Sequence, residues 1–210
     1  AGAMIIGVPI GLLTAVFLAK YCPSTLYKVI KPIINLMAGI PSIIYGFFGL
    51  VAIVPAIQDI FGTSGKGILA ASILLGMMIL PTLINTAESS IRAVPISYFE
   101  GALALGATKE RSIFKTVIPA AKSGVMSGII LGMGRAIGET MAVVMIAGNQ
   151  PIFPDSILSG TRTLTTNIVL EMAYSTGLHR KALIATAVVL FVFILIINVC
   201  FSILNRRSES

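Results

Sequence analysis

Apolar residues along this chain come in runs too long for the alternation of a strand or the single stripe of a surface helix. Five such stretches, residues 3–19, 30–57, 68–85, 125–147 and 182–204, are separated by segments that hold nearly all the charge. A helix rises 1.5 Å per residue, so about 20 residues cross the roughly 30 Å hydrocarbon core of a bilayer. The pattern predicts an all-α fold: a polytopic membrane helical bundle forming one transmembrane domain over residues 1–210. The first stretch is short for a crossing. The second is overlong and interrupted by Pro41 and Pro55, which predicts a bend or a partly re-entrant segment. Proline and glycine are tolerated inside such helices where neighbours re-satisfy the backbone.

Composition agrees with the bilayer as solvent. Charged residues are 11% of the chain, against about 25% in soluble domains, and hydrophobic residues are 56%. One soluble core of this length cannot hide that much apolar side chain. The net charge of +7 has a membrane explanation, an excess of Lys and Arg on one side. No basic stripe interleaved with aromatics marks a nucleic-acid surface.

Alternate connecting segments divide the basic residues unequally. Lys20, Lys28, Lys31, Arg92, Lys109, Arg111, Lys115, Lys122, Arg206 and Arg207 fall on one side, and Lys66, Arg162, Arg180 and Lys181 on the other. The positive-inside rule puts the richer set, and with it the C-terminus, in the cytoplasm. Five spans then leave Ala1 outside. One further transmembrane helix upstream, in a longer protein, is therefore expected.

Cys22 and Cys200 belong to no CxxC or Cys/His cluster, so neither a disulfide framework nor a metal site is indicated. His179 stands beside Arg180 and Lys181, as a membrane-interface residue does. Gly65-Lys66-Gly67 has Ile60 and Gly67 where a phosphate-binding loop needs Gly and Ser/Thr. Gly132, Gly134 and Gly138 lack dinucleotide spacing. The chain itself is expected to bind no nucleotide.

Two connections are long. Residues 86–122 mix charges with small apolar residues between Pro95 and Pro119, and form either short helices off the membrane or a solvated loop. Residues 150–181 lie on the opposite, extracytoplasmic side, where 161–171 has the composition of a short amphipathic helix. That segment suits either docking of an external protein or a plain loop.

Within the fourth stretch stands Gly134-Arg135-Ala136-Ile137-Gly138-Glu139-Thr140, with apolar sequence on both sides. Arg at a helix centre costs about 2.5–3.5 kcal/mol on insertion scales, so such residues face protein or a water-filled path. In a continuous helix Arg135 and Glu139 share a face. Two uses stay open: a self-neutralising pair, or a guanidinium fork for an oxyanion with Glu139 tempering it. Gly128, Gly132, Gly134 and Gly138 have the small-xxx-small spacing of a tight helix seam. Ser42 and Tyr45, beside Pro41, either line the path or pack locally.

Glu100-Gly101-Ala102, Gly106 six residues beyond Glu100, and Ile118-Pro119 at the eighteenth and nineteenth resemble the EAA motif of ABC importer permeases. Gly101 stands for the first Ala of the motif, and Thr116 for an aliphatic residue. GRAIGETMAVVMIAGN, from Gly134, and Gly39–Gly46 (GIPSIIYG) are similar to the phosphate permeases PstC and PstA, with Met141-Ala142-Val143 closer to PstC. The resemblance covers essentially the whole chain. It implies a MetI-like fold, a PstA-like permease subunit as partner, two cytoplasmic ATPase subunits and an external phosphate-binding protein. ATP and magnesium would belong to the ATPases. It also implies a coupling helix containing Glu100, Gly101, Ala102 and Gly106 and closed by Ile118-Pro119, with Arg135, Glu139, Thr140, Ser42 and Tyr45 along the phosphate path. The rival readings are an importer of another oxyanion or small solute, and an ATP-independent channel or secondary transporter.

Overall fold

A computed structural model describes residues 1–207, with side chains for 1–200 and Ile203. The side chains of Arg206 and Arg207, counted above among the basic residues, lie outside the described set. Among the described residues the fold is all-helical, with a lone backbone bridge from Gly148 to Thr161. In chain order the helices are α1 (Gly2–Val16), α2 (Ser24–Gly39), α3 (Ser42–Phe48), α4 (Val54–Phe61), α5 (Ile68–Ala93) and α6 (Ile96–Ala104). They continue as α7 (Lys109–Ser112), α8 (Ile118–Ala120), α9 (Lys122–Gly138), α10 (Met141–Ile146), α11 (Leu164–Met172) and α12 (Gly177–Arg207). Wide π-helical turns extend α1 to Tyr21, join α3 to α4, and join α7 to α8. The last two run up to Pro55 and Pro119 with one residue between. A proline there has no N–H for the carbonyl four residues back, and the widened turn takes up the mismatch.

Among the described residues four helical segments are long and apolar enough to cross a membrane: Gly2–Tyr21, Ser42–Phe61, Ile68–Ala93 and Gly177–Cys200. A fifth passes the same test only as a bent pair, Lys109–Ala120 with Lys122–Gly138, at 70°. Three expected boundaries move. The second stretch, 30–57, is two helices, because Ile40 and Pro41 are extended and separate α2 from the α3–α4 span. The third continues past residue 85 to Ala93, so Glu88 and Arg92 are helical and not in a loop. The fourth, 125–147, is broken at Glu139-Thr140.

α5 is the central helix, with Leu74, Ile79, Leu83, Ala87 and Ile91 fully buried. α1 and α9 pack on it through glycines. A Cβ on Gly7 would lie 2.6 Å from the Ile79 side chain, and one on Gly128 would lie 3.1 Å from Thr86. Small residues at such seams let helix backbones approach where lipid gives no hydrophobic drive. The expected glycine seam on α9 is real for Gly128 and Gly132, which are buried. Gly138, in contrast, has nothing within 4 Å of an added Cβ, and Gly134 has only Asn198 at 3.9 Å. By contrast α12 is largely exposed over its apolar length, as a lipid-facing helix is.

Candidate functional site

α9 ends one turn after Arg135. Glu139 is extended (φ −66°, ψ 132°), which turns its carboxylate away from the α9 face. The backbone N–H of Ala142 donates to Glu139 Oε1 at 3.1 Å, so the side chain caps the start of α10. Thr165 Oγ1, from α11, donates to the Glu139 carbonyl at 3.2 Å, and Thr140 Oγ1 donates to the Gly138 carbonyl at 3.2 Å. Three of the backbone groups at the break are thus satisfied locally. The expected Arg135–Glu139 pair on one helix face does not form, and among the described residues no ion pair holds Arg135. The helix interruption is the physical reason, since face-sharing at i, i+4 requires continuous helix.

Arg135, Glu139 and Thr140 are half-buried, and the Arg135 guanidinium is near enough to Tyr45 to act on it electrostatically. Tyr45 is buried, and its hydroxyl donates to the Met37 carbonyl at the end of α2, 2.9 Å away. Ser42 lies one turn earlier on α3, half-buried. Arg135 is therefore within electrostatic range of Tyr45, whereas Glu139 and Thr140 bond to the backbone of the break. Gly46 seats α3 on α10: an added Cβ would sit 2.8 Å from Met145 Sδ and 2.9 Å from the Ala142 Cα. Gly46→Val is expected to push α3 away from the break and cost about 1–3 kcal/mol, read as a lower thermal midpoint of the purified protein.

The second site candidate is α6 and the turn after it. No residue of α6 is buried. Glu100 and Gly101 are exposed and Ala102 is half-buried. Gly106 closes the helix at φ +84°, a left-handed conformation that favours glycine. The Ala107 N–H donates to the Ala102 carbonyl at 3.1 Å and the Gly106 N–H to the Leu103 carbonyl at 2.9 Å, the paired bonds of a Schellman cap. Thr108 then caps α7 by accepting from the Arg111 N–H. Leu105 is 92% exposed at the rim of a hollow of about 420 Å³ that Tyr98, Gly101, Ala102 and Thr116 also line. Ile118 and Pro119 open α8, half-buried and exposed respectively.

Sequence reasoning missed a polar cluster where α1, α2 and α5 meet. Glu88 is 1% exposed. Its carboxylate accepts from Lys31 Nζ at 2.6 Å and from Arg92 Nε at 2.8 Å, and also from the Tyr27 hydroxyl. Lys31 donates to Asn85 at 2.7 Å as well, and Asn85 donates to Asn35 at 3.1 Å. Arg92 donates to the Leu18 carbonyl of the α1 extension at 2.7 Å and covers the Tyr27 ring. The bond to Glu88, then burial, pushes the Tyr27 phenol above its ordinary pKa, so it stays a donor through neutral pH.

At the opposite end Arg162 donates to the Asn149 carbonyl, to Asn167 and to Glu171, which fastens α11 to the turn after α10. His179 Nε2 lies 3.8 Å from Glu171, at the edge of ion-pair range.

Residues 7–210 match the family described as binding-protein-dependent transport system inner membrane component. The chain is 40% identical over 202 residues to the probable ABC transporter permease protein YqgH of Bacillus subtilis (strain 168), covering 92% of this chain and 65% of that one. It is 33% identical over 227 residues to the phosphate transport system permease protein PstC of Pasteurella multocida (strain Pm70), covering 99% and 71%. It thus spans about two thirds of the length of these relatives. A structure of the MetNI methionine ABC transporter, inward facing, superposes with a TM-score of 0.74 at 23% identity over 98% of this chain and 89% of that one. That likeness is one of fold, and it is the MetI-like fold expected from the sequence. By the match over nearly its whole length, the chain belongs to the family of binding-protein-dependent transport system inner membrane components.

Proposed function

We propose that this chain is the membrane-spanning permease subunit of an ATP-driven inorganic phosphate importer. The observation that carries the reading is a half-buried guanidinium, at the end of a broken helix, that no carboxylate among the described residues pairs with. An oxyanion is the ligand such a group is built to meet, through paired N–H donors. Glu139 takes a different part from the one its spacing suggests: it holds the break open and leaves the charge of Arg135 available. The PstC relatives support phosphate as that oxyanion.

In this reading the end that carries α6 is cytoplasmic, as is the C-terminus, and α6 is the coupling helix. Its exposed small residues let an ATPase surface approach closely, and the Gly106 cap lets the chain turn back at once toward α8. A PstA-like subunit completes the path, two ATPase subunits supply ATP binding and hydrolysis, and an external phosphate-binding protein delivers the anion. Glu100→Lys is expected to detach or uncouple the ATPases, read as lost co-purification or as hydrolysis unstimulated by the loaded binding protein.

The deciding measurement is uptake into liposomes holding the complete complex, compared across phosphate, sulfate and molybdate. Vanadate-sensitive uptake of phosphate alone is expected. Uptake that prefers another anion would overturn the substrate, and uptake without ATP would overturn the class.

A further inference from the structure

α2 is held in an unusual way. Of its residues only Ile34 is buried, with Tyr27 and Ile30 packed against the same core, so its apolar hold is one narrow stripe. Polar contacts along one side and at its far end add to that hold. Through its first half and middle Tyr27, Lys31 and Asn35 engage Glu88, Arg92 and Asn85 of α5. At its end the Met37 carbonyl receives the Tyr45 hydroxyl.

Those contacts lead to two different places. Glu88 and Arg92 stand in the last turns of α5, which passes through Val94 and Pro95 directly into α6. Tyr45 stands on α3, which the next residue, Gly46, seats against α10 just past the break that follows Arg135. A helix tied to α5 by a few polar contacts, and to Tyr45 at its far end, moves as a unit when either attachment moves. Interfaces made of a few discrete polar contacts also have alternative arrangements close in energy, which a switching element needs.

We propose that α2 is a strut joining the α6 end of the permease to the environment of Arg135, with Glu88 and Tyr45 as its two positioning residues. The inference rests on α6 being the ATPase-docking helix. When α6 is drawn toward the ATPases the end of α5 moves with it, Glu88 carries Lys31 and Tyr27, and α2 transmits the shift to Tyr45 through Met37. Neither Glu88 nor Tyr45 need touch the transported anion.

The test uses the complete complex in liposomes, with Cys22 and Cys200 replaced by Ser and a reporter thiol placed by Gly138→Cys. Gly138 is exposed beside the break, and nothing lies within 4 Å of an added Cβ. Alkylation by a charged maleimide is timed with ADP and with ATP plus vanadate. The reporter background is expected to change rate by about threefold or more between the two states, as a shift in population of a two-state path requires. Glu88→Gln and Tyr45→Phe, each nearly isosteric, are expected to abolish that change while vanadate-sensitive ATP hydrolysis stays within about twofold. A rate change that survives in both variants overturns the strut, as does a reporter that never responds to nucleotide. Loss of assembly and hydrolysis in step with the rate change, in both variants, also overturns it, since that marks a merely structural role. Switching that depends on both residues supports the strut even where the same liposomes take up no phosphate, a result that would overturn the substrate assignment alone.

Discussion

Arg135→Ala is expected to lower phosphate uptake by about 100-fold while the complex still assembles. Losing one partner of a desolvated charge contact costs about 2–5 kcal/mol, and about 3 kcal/mol is two decades in rate or affinity. Assembly should survive because no ion pair among the described residues depends on the guanidinium. It is half-buried, not locked in a dry core. Arg135→Lys should recover part of the loss, since it keeps the charge without the paired donor geometry. Glu139→Gln should be far milder than Arg135→Ala, because a side-chain carbonyl still accepts from the Ala142 N–H. Uptake in Arg135→Ala within a few-fold of the parent protein would remove this residue from the path.

Glu88→Ala is expected to be the most destabilising change in the chain. Its carboxylate is almost fully buried and serves three donors. Removing it leaves Lys31, whose side chain is 24% exposed, with Asn85 as its remaining acceptor. Breaking a buried ion pair on one side costs about 3–5 kcal/mol. Arg92, at 46% side-chain exposure, recovers some of that from solvent, so the lower end of the range applies. The expected readout is a clear fall in the thermal midpoint of the purified complex, partly reversed when Lys31→Met is added to relieve the stranded ammonium. A midpoint unchanged in Glu88→Ala would show that the cluster contributes nothing to stability.

The bundle was legible in the sequence because apolar runs of membrane length have few other homes. Helix ends were less legible, since hydropathy reports where a segment is greasy and not where its hydrogen bonding stops. Asn85 ended the third run on that criterion. Ile84, Ala87, Glu88 and Ile91 in fact keep one helical stripe facing inward, and following that stripe would have carried α5 on to Ala93 and marked Glu88 as buried. Lys31 gave no local signal at all, because its partner lies 57 residues away. Chain direction at Glu139 was equally silent: a Glu three residues before an N–H it caps has the same letters as a Glu on a continuous helix. The prolines did speak. Pro41 marks the division of α2 from α3, and Pro55 and Pro119 follow the two widened turns.

The interruption at Glu139 also bears on leakage. An importer path must stay closed to sodium and protons, which the inside-negative potential pulls inward at about 2.3 kcal/mol per charge for each 100 mV. With the neighbouring carboxylate spent on a backbone N–H, the Arg135 head keeps a positive charge that no ion pair among the described residues offsets. On the proposed path that charge repels small cations whether or not phosphate is present, as an arginine at a pore constriction does. The same group that receives the anion would thereby keep the membrane insulated between transport cycles.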